Sequence, residues 1–225
     1  MKIKNILFQN ASDRAYKALK EMIAEYQLVP GQKITYIQLA EKLKMSKTPI
    51  INALYRLEQD EFVISIPHRG FFIKEIDIEE VAELFKIREG LEILAAEEAI
   101  KNQNSEILKK IEKAMIEHRK YHYDIVTRKR LALDAVFHLK IAEMGRNRNL
   151  IRFLRQVFEH IYLRHRSEGI SPKRLVTSAE EHQKIFDAIR EKNMAKARGL
   201  TRQHVRAGKI ATIKGIQKAV GSFEF

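Results

Sequence analysis

The chain of 225 residues carries 42 lysines and arginines against 29 aspartates and glutamates, for a net charge of +13, and it has no cysteine. That length accommodates one large or two modest domains with true cores, and the lack of cysteine excludes thiolate zinc fingers, iron–sulfur clusters and cysteine nucleophiles. No apolar run reaches the roughly eighteen residues of a membrane span, and the opening MKIKNILFQN is too short in apolar character for a signal peptide, so a cytoplasmic protein without a membrane partner is expected.

The positive balance favours a polyanionic partner such as nucleic acid, or an anionic ligand. It does not locate that partner, because residues 1–76 hold 12 basic and 8 acidic residues and the larger share of the excess lies beyond them.

From the N-terminus, Ala15, Leu19, Met22, Ile23 and Tyr26 recur at helical spacing, predicting a helix over 13–27 that Pro30-Gly31 ends. Thr35 followed by Gln38 reads as a capping box opening a second helix through Leu39, Ala40 and Leu43. After a break at Lys44-Met45, Ser46 caps a third helix in which Pro49 falls in the tolerant first turn and Ile50, Ala53, Leu54 and Leu57 form an apolar stripe. Two short helices joined by a tight turn make a helix-turn-helix. The composition then shifts to FVISI, PHRG and FFIKEI, which predicts a hairpin with Gly70 at its tip. Residues 1–76 are therefore expected to form a winged helix-turn-helix.

Beyond Asp77 apolar residues recur every three or four positions almost to the C-terminus. About six helices are predicted, near 78–101, 105–125, 129–144, 147–167, 173–191 and 194–219, with short breaks that imply an antiparallel bundle. The fold class is thus mainly α: a DNA-reading domain over 1–76 and an all-helical domain over 77–225.

Within that second domain Asp134 and His138 stand four residues apart and so project from one helix face. His182 and His204 follow on separate helices long enough to cross a bundle core. Three imidazoles and one carboxylate suit zinc, nickel, manganese or iron(II). The spacing alone also permits an ordinary surface pair with two core histidines, and His118 and His122 repeat it.

On the third helix the wheel places Thr48, Asn52, Tyr55 and Arg56 opposite the apolar stripe, where a major groove would be read. Asn52 has the donor and acceptor for adenine and Arg56 the fork for guanine or phosphate. Lys47 and the amides after Ser46 suit a phosphate at the helix N-terminus. Thr35 joins this set from the preceding helix, and His68, Arg69 and Gly70 from the wing, where arginine favours a narrow minor groove.

The segment PGQKITYIQLAEKLKMSKTPIINALYRLEQDEFVISIPHRGFFI resembles the N-terminal domain of the GntR family of bacterial transcription regulators. The match runs through the Pro-Gly turn, Leu39-Ala40, the Ser46 to Pro49 helix start, Ala53-Leu54, Leu57-Glu58 and Arg69-Gly70. Departures occur at Lys47 and Ile51, where the family often has arginine, at Asn52, where an acidic residue is common, and at Glu61, where glycine commonly precedes the first wing strand. The helical part is similar to the FCD domain of the FadR subfamily, in its shorter VanR-like form. This second match rests on Lys86 to Glu92, Asp134-Ala-Val-Phe-His138, Gly145 to Asn147, Glu181-His182 and His204.

The resemblance implies that Asp134, His138, His182 and His204 ligate a metal inside the bundle. It also implies a homodimeric regulator, usually a repressor, that binds two-half-site operator DNA and responds to a small organic acid. Arg88 is the first candidate to clamp that acid's carboxylate, against the alternative of an ion pair with Glu92. Arg130, one turn before Asp134, and Asn147 are further effector-binding candidates. A direct metal sensor is the alternative within regulation, and a metalloenzyme carrying an accessory DNA domain the alternative outside it. Enzymatic activity is not expected, since Glu181 is the only spare carboxylate beside the ligands and neighbouring helix residues point about 100° apart.

Overall fold

The computed structural model describes the backbone of residues 10–120, 128–164 and 171–221, with side chains over nearly all of these. It divides into two compact units, residues 1–76 and 77–225.

In the first unit, α1 (Ala11–Ala24) begins where Asn10 accepts a hydrogen bond from the Asp13 amide, so the helix starts and ends a few residues before the expected 13–27. Its stripe of Ala15, Leu19, Met22 and Ile23 is buried. Next come α2 (Tyr36–Leu43) and α3 (Lys47–Gln59), separated by a turn in which Lys44 is left-handed at φ 52°. The α3 stripe of Ile50, Ala53, Leu54 and Leu57 is at most 1% exposed and forms the centre of this core.

The sheet has three strands in the order β1 (Lys33–Ile34), β3 (Gly70–Ile73), β2 (Val63–Ile66), all antiparallel neighbours. Two residues before α2 thus add an edge strand that their brevity hides from pattern reading. The hairpin register pairs Ile66 with Gly70, so its tip is Pro67-His68-Arg69 and Gly70 opens β3 rather than capping the turn. The Arg69 amide donates to the Ile66 carbonyl, and His68, at φ 61°, takes the left-handed position of a turn that Pro67 starts. Glu61 keeps the left-handed conformation (φ 58°) that a glycine there would adopt, while the Phe62 amide closes the end of α3 onto the Leu57 carbonyl.

The second unit contains α4 (Ile78–Lys101), α5 (Ser105–Lys120), α6 (Arg128–Met144), α7 (Arg148–Arg164), α8 (Pro172–Arg190) and α9 (Met194–Gly221). Where both ends are described, these bounds lie within a residue or two of the spacing-based ranges. Helix α4 is central, lying against α6, α7, α8 and α9, while α5 lies against α6 and α8. Ala95, Ala96, Ala99, Ala142, Ala188 and Ala197 are buried at these crossings, and their small side chains let the helices approach closely. Phe137, Phe158 and Phe186 fill the remaining space.

Position 145, just past α6, is glycine because of crowding: a Cβ there would lie 2.8 Å from the Cβ of Glu98. Across the α4–α9 seam Glu89 accepts from Arg206 at 2.9 and 3.1 Å and pairs with Arg202 at 3.4 Å, and Glu97 pairs with Arg198 at 2.9 Å.

Candidate metal centre and DNA-reading face

Asp134, His138, His182 and His204 each offer a donor atom, and all four atoms lie within 4.8 Å of one another inside the bundle. The one-turn spacing of α6 supplies Asp134 and His138, and α8 and α9 supply the others. The three imidazoles are at most 3% exposed, and the Asp134 carboxylate is 14% exposed.

Two further carboxylates fix the rings. His138 Nδ1 lies 2.8 Å from Glu92 Oε2, and His204 Nδ1 lies 2.7 Å from Glu181 Oε2. Each close carboxylate favours the ring proton on Nδ1 and leaves Nε2 as a lone pair, though only the His204–Glu181 contact is a well-directed hydrogen bond. Those two Nε2 atoms face each other at 3.2 Å. Two lone pairs at that distance repel unless a cation lies between them, and the spacing suits neighbouring ligands on an ion with metal–nitrogen bonds of about 2.1 Å.

His182 Nε2 lies 3.2 Å from Asp134 Oδ1, yet neither of its ring nitrogens makes a well-directed hydrogen bond among the described residues. Stacking on Phe137, with ring centroids 4.3 Å apart, fixes its plane.

The electrostatics also favour ligand forms. Burial pushes the His182 imidazole below its ordinary pKa, partly offset by Asp134, and burial with His182 and His138 nearby pushes His204 well below. Both rings therefore stay neutral, as metal binding requires. Burial by itself would raise Asp134, but the contact with His182 and the neighbouring His138 and Arg88 outweigh it and hold the carboxyl well below its usual range. Glu92 is likewise opposed by burial, yet Arg88 and His138 bring it down to about 2. This donor set fits a divalent transition metal.

Of the effector candidates, Arg88 is 3% exposed. Its Nε contacts Glu92 Oε1 at 2.5 Å, its Nη2 lies 3.7 Å from Asp134 Oδ2, and its guanidinium rests 4.5 Å from the Phe158 ring centre. The i, i+4 partnership with Glu92 thus exists, but inside the bundle and beside the four clustered residues. Asn147 begins α7, accepting from the Leu150 amide at 3.1 Å and donating to Glu98 at 3.2 Å. Arg130 lies on α6, but its side chain is outside those described.

One neighbour escaped the sequence reading. His118 on α5 is 2% exposed, its Nε2 lies 4.0 Å from Asp134 Oδ1, and its ring centre is 4.8 Å from that of His182. The usable signal was the stripe Ile111, Ala114, Met115 and His118, which places this histidine on the buried face of α5. His122 lies outside the described residues.

In the first unit Thr48, Asn52, Tyr55 and Arg56 are exposed on α3, and His68, Arg69 and Gly70 on the wing. Thr35 and Ser46 occupy N-cap positions, but neither side chain makes a capping hydrogen bond, so the expected capping box is not formed. Asn10, Asp77 and Ser171, by contrast, cap through their side chains. Lys47 lies over Tyr36 at 4.4 Å, and Tyr55 meets Phe71 edge-on at 5.3 Å. Arg56 is held from α1, 2.8 Å from Asp13 Oδ1 and 4.0 Å from the Tyr16 ring centre, while Asn52 donates to Ser12 at 3.5 Å.

Comparison with known proteins agrees with this architecture. Residues 11–73 match the bacterial regulatory proteins of the gntR family, and residues 83–207 match the FCD domain. The HTH-type transcriptional regulator YdhC of Bacillus subtilis is 32% identical over 193 residues, covering 85% of this chain and 84% of that one. The Nta operon transcriptional regulator of Aminobacter aminovorans is 27% identical over 62% of this chain and 66% of its own. Among solved structures, Escherichia coli McbR/YncC superposes with a TM-score of 0.77 at 22% identity, covering 93% of this chain and 99% of that chain.

A winged helix and an all-helical bundle in one chain define a DNA-binding transcription regulator of two domains. The chain belongs to the GntR family of bacterial regulatory proteins, in the group whose second domain is FCD.

Proposed function

We propose that this regulator is a homodimeric, metabolite-responsive repressor of the bacterial cytoplasm. Its bundle binds a divalent transition metal (zinc, nickel, manganese or iron), and a small carboxylic acid reaching that metal alters operator binding. The observation that carries the metal reading is the 3.2 Å approach of His138 Nε2 to His204 Nε2, with both Nδ1 atoms committed to carboxylates.

Asp134, His138, His182 and His204 would hold the ion, which supplies a Lewis-acid position for the acid's oxygen. Glu92 and Glu181 hold the two rings in the ligating tautomer. Arg88, between Glu92 and Asp134, keeps Glu92 charged and borders the site. Because the ligands come from three helices, occupancy couples their positions, and an effector that prefers one arrangement shifts the population of DNA-competent dimers.

DNA contact falls to Thr35, Ser46, Lys47, Thr48, Asn52, Tyr55, Arg56, His68, Arg69 and Gly70. The unused cap hydroxyls of Thr35 and Ser46 support phosphate contacts at the starts of α2 and α3. A second reading, in which the metal itself is the signal, shares the same site.

The test titrates chelator-treated protein with metal, then with small organic acids, against operator DNA. Operator affinity that changes only when acid joins saturated metal supports the proposal. Affinity that follows metal alone supports the direct sensor, and a protein that takes up no metal refutes both.

A further inference from the structure

Behind the tetrad of Asp134, His138, His182 and His204, the packing of α4, α6, α8 and α9 leaves a small buried cavity. Glu92, His138 and Thr201 form its polar lining, and alanine and isoleucine side chains of α4, α6 and α8 close the rest. None of the lining residues is more than 4% exposed, and the space suits about one water molecule.

Two of these residues carry a buried polar atom that makes no hydrogen bond among the described residues, Glu92 Oε2 and Thr201 Oγ1. Against its burial, Arg88 and His138 keep Glu92 ionised, so its oxygens can only accept. A helical threonine can satisfy its hydroxyl on the carbonyl four residues earlier, as Thr177 does on Lys173 at 3.0 Å. Thr201 makes no such bond to Ala197. Orphaned polar groups in an apolar interior are costly, and one water donating to the carboxylate and bonding the hydroxyl would satisfy both.

We propose that this cavity is a water-binding site, and that Thr201 acts through its water to steady Glu92 behind His138. Glu92 Oε2 lies 2.8 Å from His138 Nδ1, in a contact that is not well directed by itself. A water anchored on α9 restrains that carboxylate, and with it the ring whose Nε2 faces His204. Thr201 is thus a positioning residue that ties α9 to α4 and α6. Its positioning role rests on the metal reading above, and the water site does not.

A crystal structure of the full chain that shows ordered water tests the site: a water within about 3.0 Å of both Glu92 Oε2 and Thr201 Oγ1 is expected. An empty cavity, or a Thr201 hydroxyl bonded to a helix carbonyl, overturns it. In metal-free protein Thr201→Val, which keeps the shape and removes the hydroxyl, is expected to lower the urea midpoint. A raised midpoint would mark a hydroxyl that bonds nothing, and likewise overturns the site. Zinc affinity, read by competition with a coloured chelator, tests the positioning role. Thr201→Val is expected to weaken zinc about tenfold at unchanged helical content, and Thr201→Ser, which keeps the hydroxyl, to restore most of that loss. Equal zinc affinity in Thr201→Val overturns the role of Thr201. Wild-type protein that takes up no zinc overturns the metal reading and that role with it, while the water site stands or falls by the crystal structure.

Discussion

Glu181 of α8 accepts the Nδ1 proton of His204 of α9 at 2.7 Å, although the two residues are 23 apart in the chain. The same carboxylate oxygen receives Arg174 at 2.8 Å, which holds it in place. In the proposed metal site, Glu181 would therefore position a ligand without being one. Glu181→Gln is expected to lower metal affinity by about 10- to 100-fold, read by competition with a coloured chelator, with helical content unchanged. Unaltered affinity would show that packing alone orients His204.

Acidification should destabilise the metal-free protein in two stages. His182 and His204 have folded pKa values below the ordinary 6.5, so the unfolded chain binds more protons and stability falls as the pH drops below about 6.5. Asp134 and Glu92 are depressed from ordinary values of 3.8 and 4.5, so their contribution is intact above these values and is lost as the pH falls toward about 2, where Glu92 titrates. Thermal midpoints of chelator-treated protein against pH check this. Replacing both His182 and His204 by Gln should remove most of the first stage, and the same slope in that variant would disprove the assignment.

Glycines make a controlled contrast. Gly145→Ala would drive a Cβ to 2.8 Å from Glu98, whereas a Cβ at Gly90 or Gly199 meets nothing within 4 Å. The first substitution should cost about 1–3 kcal/mol, and each of the other two should stabilise by about 0.5–1 kcal/mol. Urea unfolding of the three variants reads both signs.

Glu61 and Lys192 carry left-handed backbone at φ 58° and 56° at helix ends that usually take glycine. Glu61→Gly and Lys192→Gly are each expected to raise stability by about 1 kcal/mol, and a loss of stability would mean that their side chains contribute contacts outweighing the strain.

In the proposed DNA-reading face, Asp13 would compete with DNA for Arg56. Asp13→Ala would release the guanidinium now held at 2.8 Å and remove a negative charge beside α3, so affinity for duplex DNA at low salt should rise several-fold. Lys47→Ala should weaken binding across sequences and reduce the salt slope by about one. Electrophoretic mobility shifts over a salt series measure both.

Much of this architecture is legible in the sequence because helical periodicity is long and uninterrupted. The α4 helix was expected over the residues it occupies, and Ile50, Ala53, Leu54 and Leu57 are as buried as their spacing implies. Short-range signals carry less. Thr35 with Gln38 has the letters of a capping box without its hydrogen bond, and Lys33–Ile34 joins the sheet through pairing with Phe71 and Phe72, distant in the chain. In the candidate metal centre, Asp134 and His138 reveal themselves by spacing, but Glu92 belongs to it only because α4 crosses α6 at that height. His118 shared its spacing signal with His122, and although its stripe marks it as buried, only the packing of α5 shows that it lies next to Asp134.

The distribution of the tetrad has a mechanical consequence. His138 and His204 are 66 residues apart, and the chain has no cysteine with which to cross-link itself. An ion held by α6, α8 and α9 would close loops that are otherwise kept by packing and polar side-chain contacts, as a disulfide would, yet it could be withdrawn by a chelator. Bundle rigidity would then follow free metal concentration, and the unfolding temperature would rise with the logarithm of added ion.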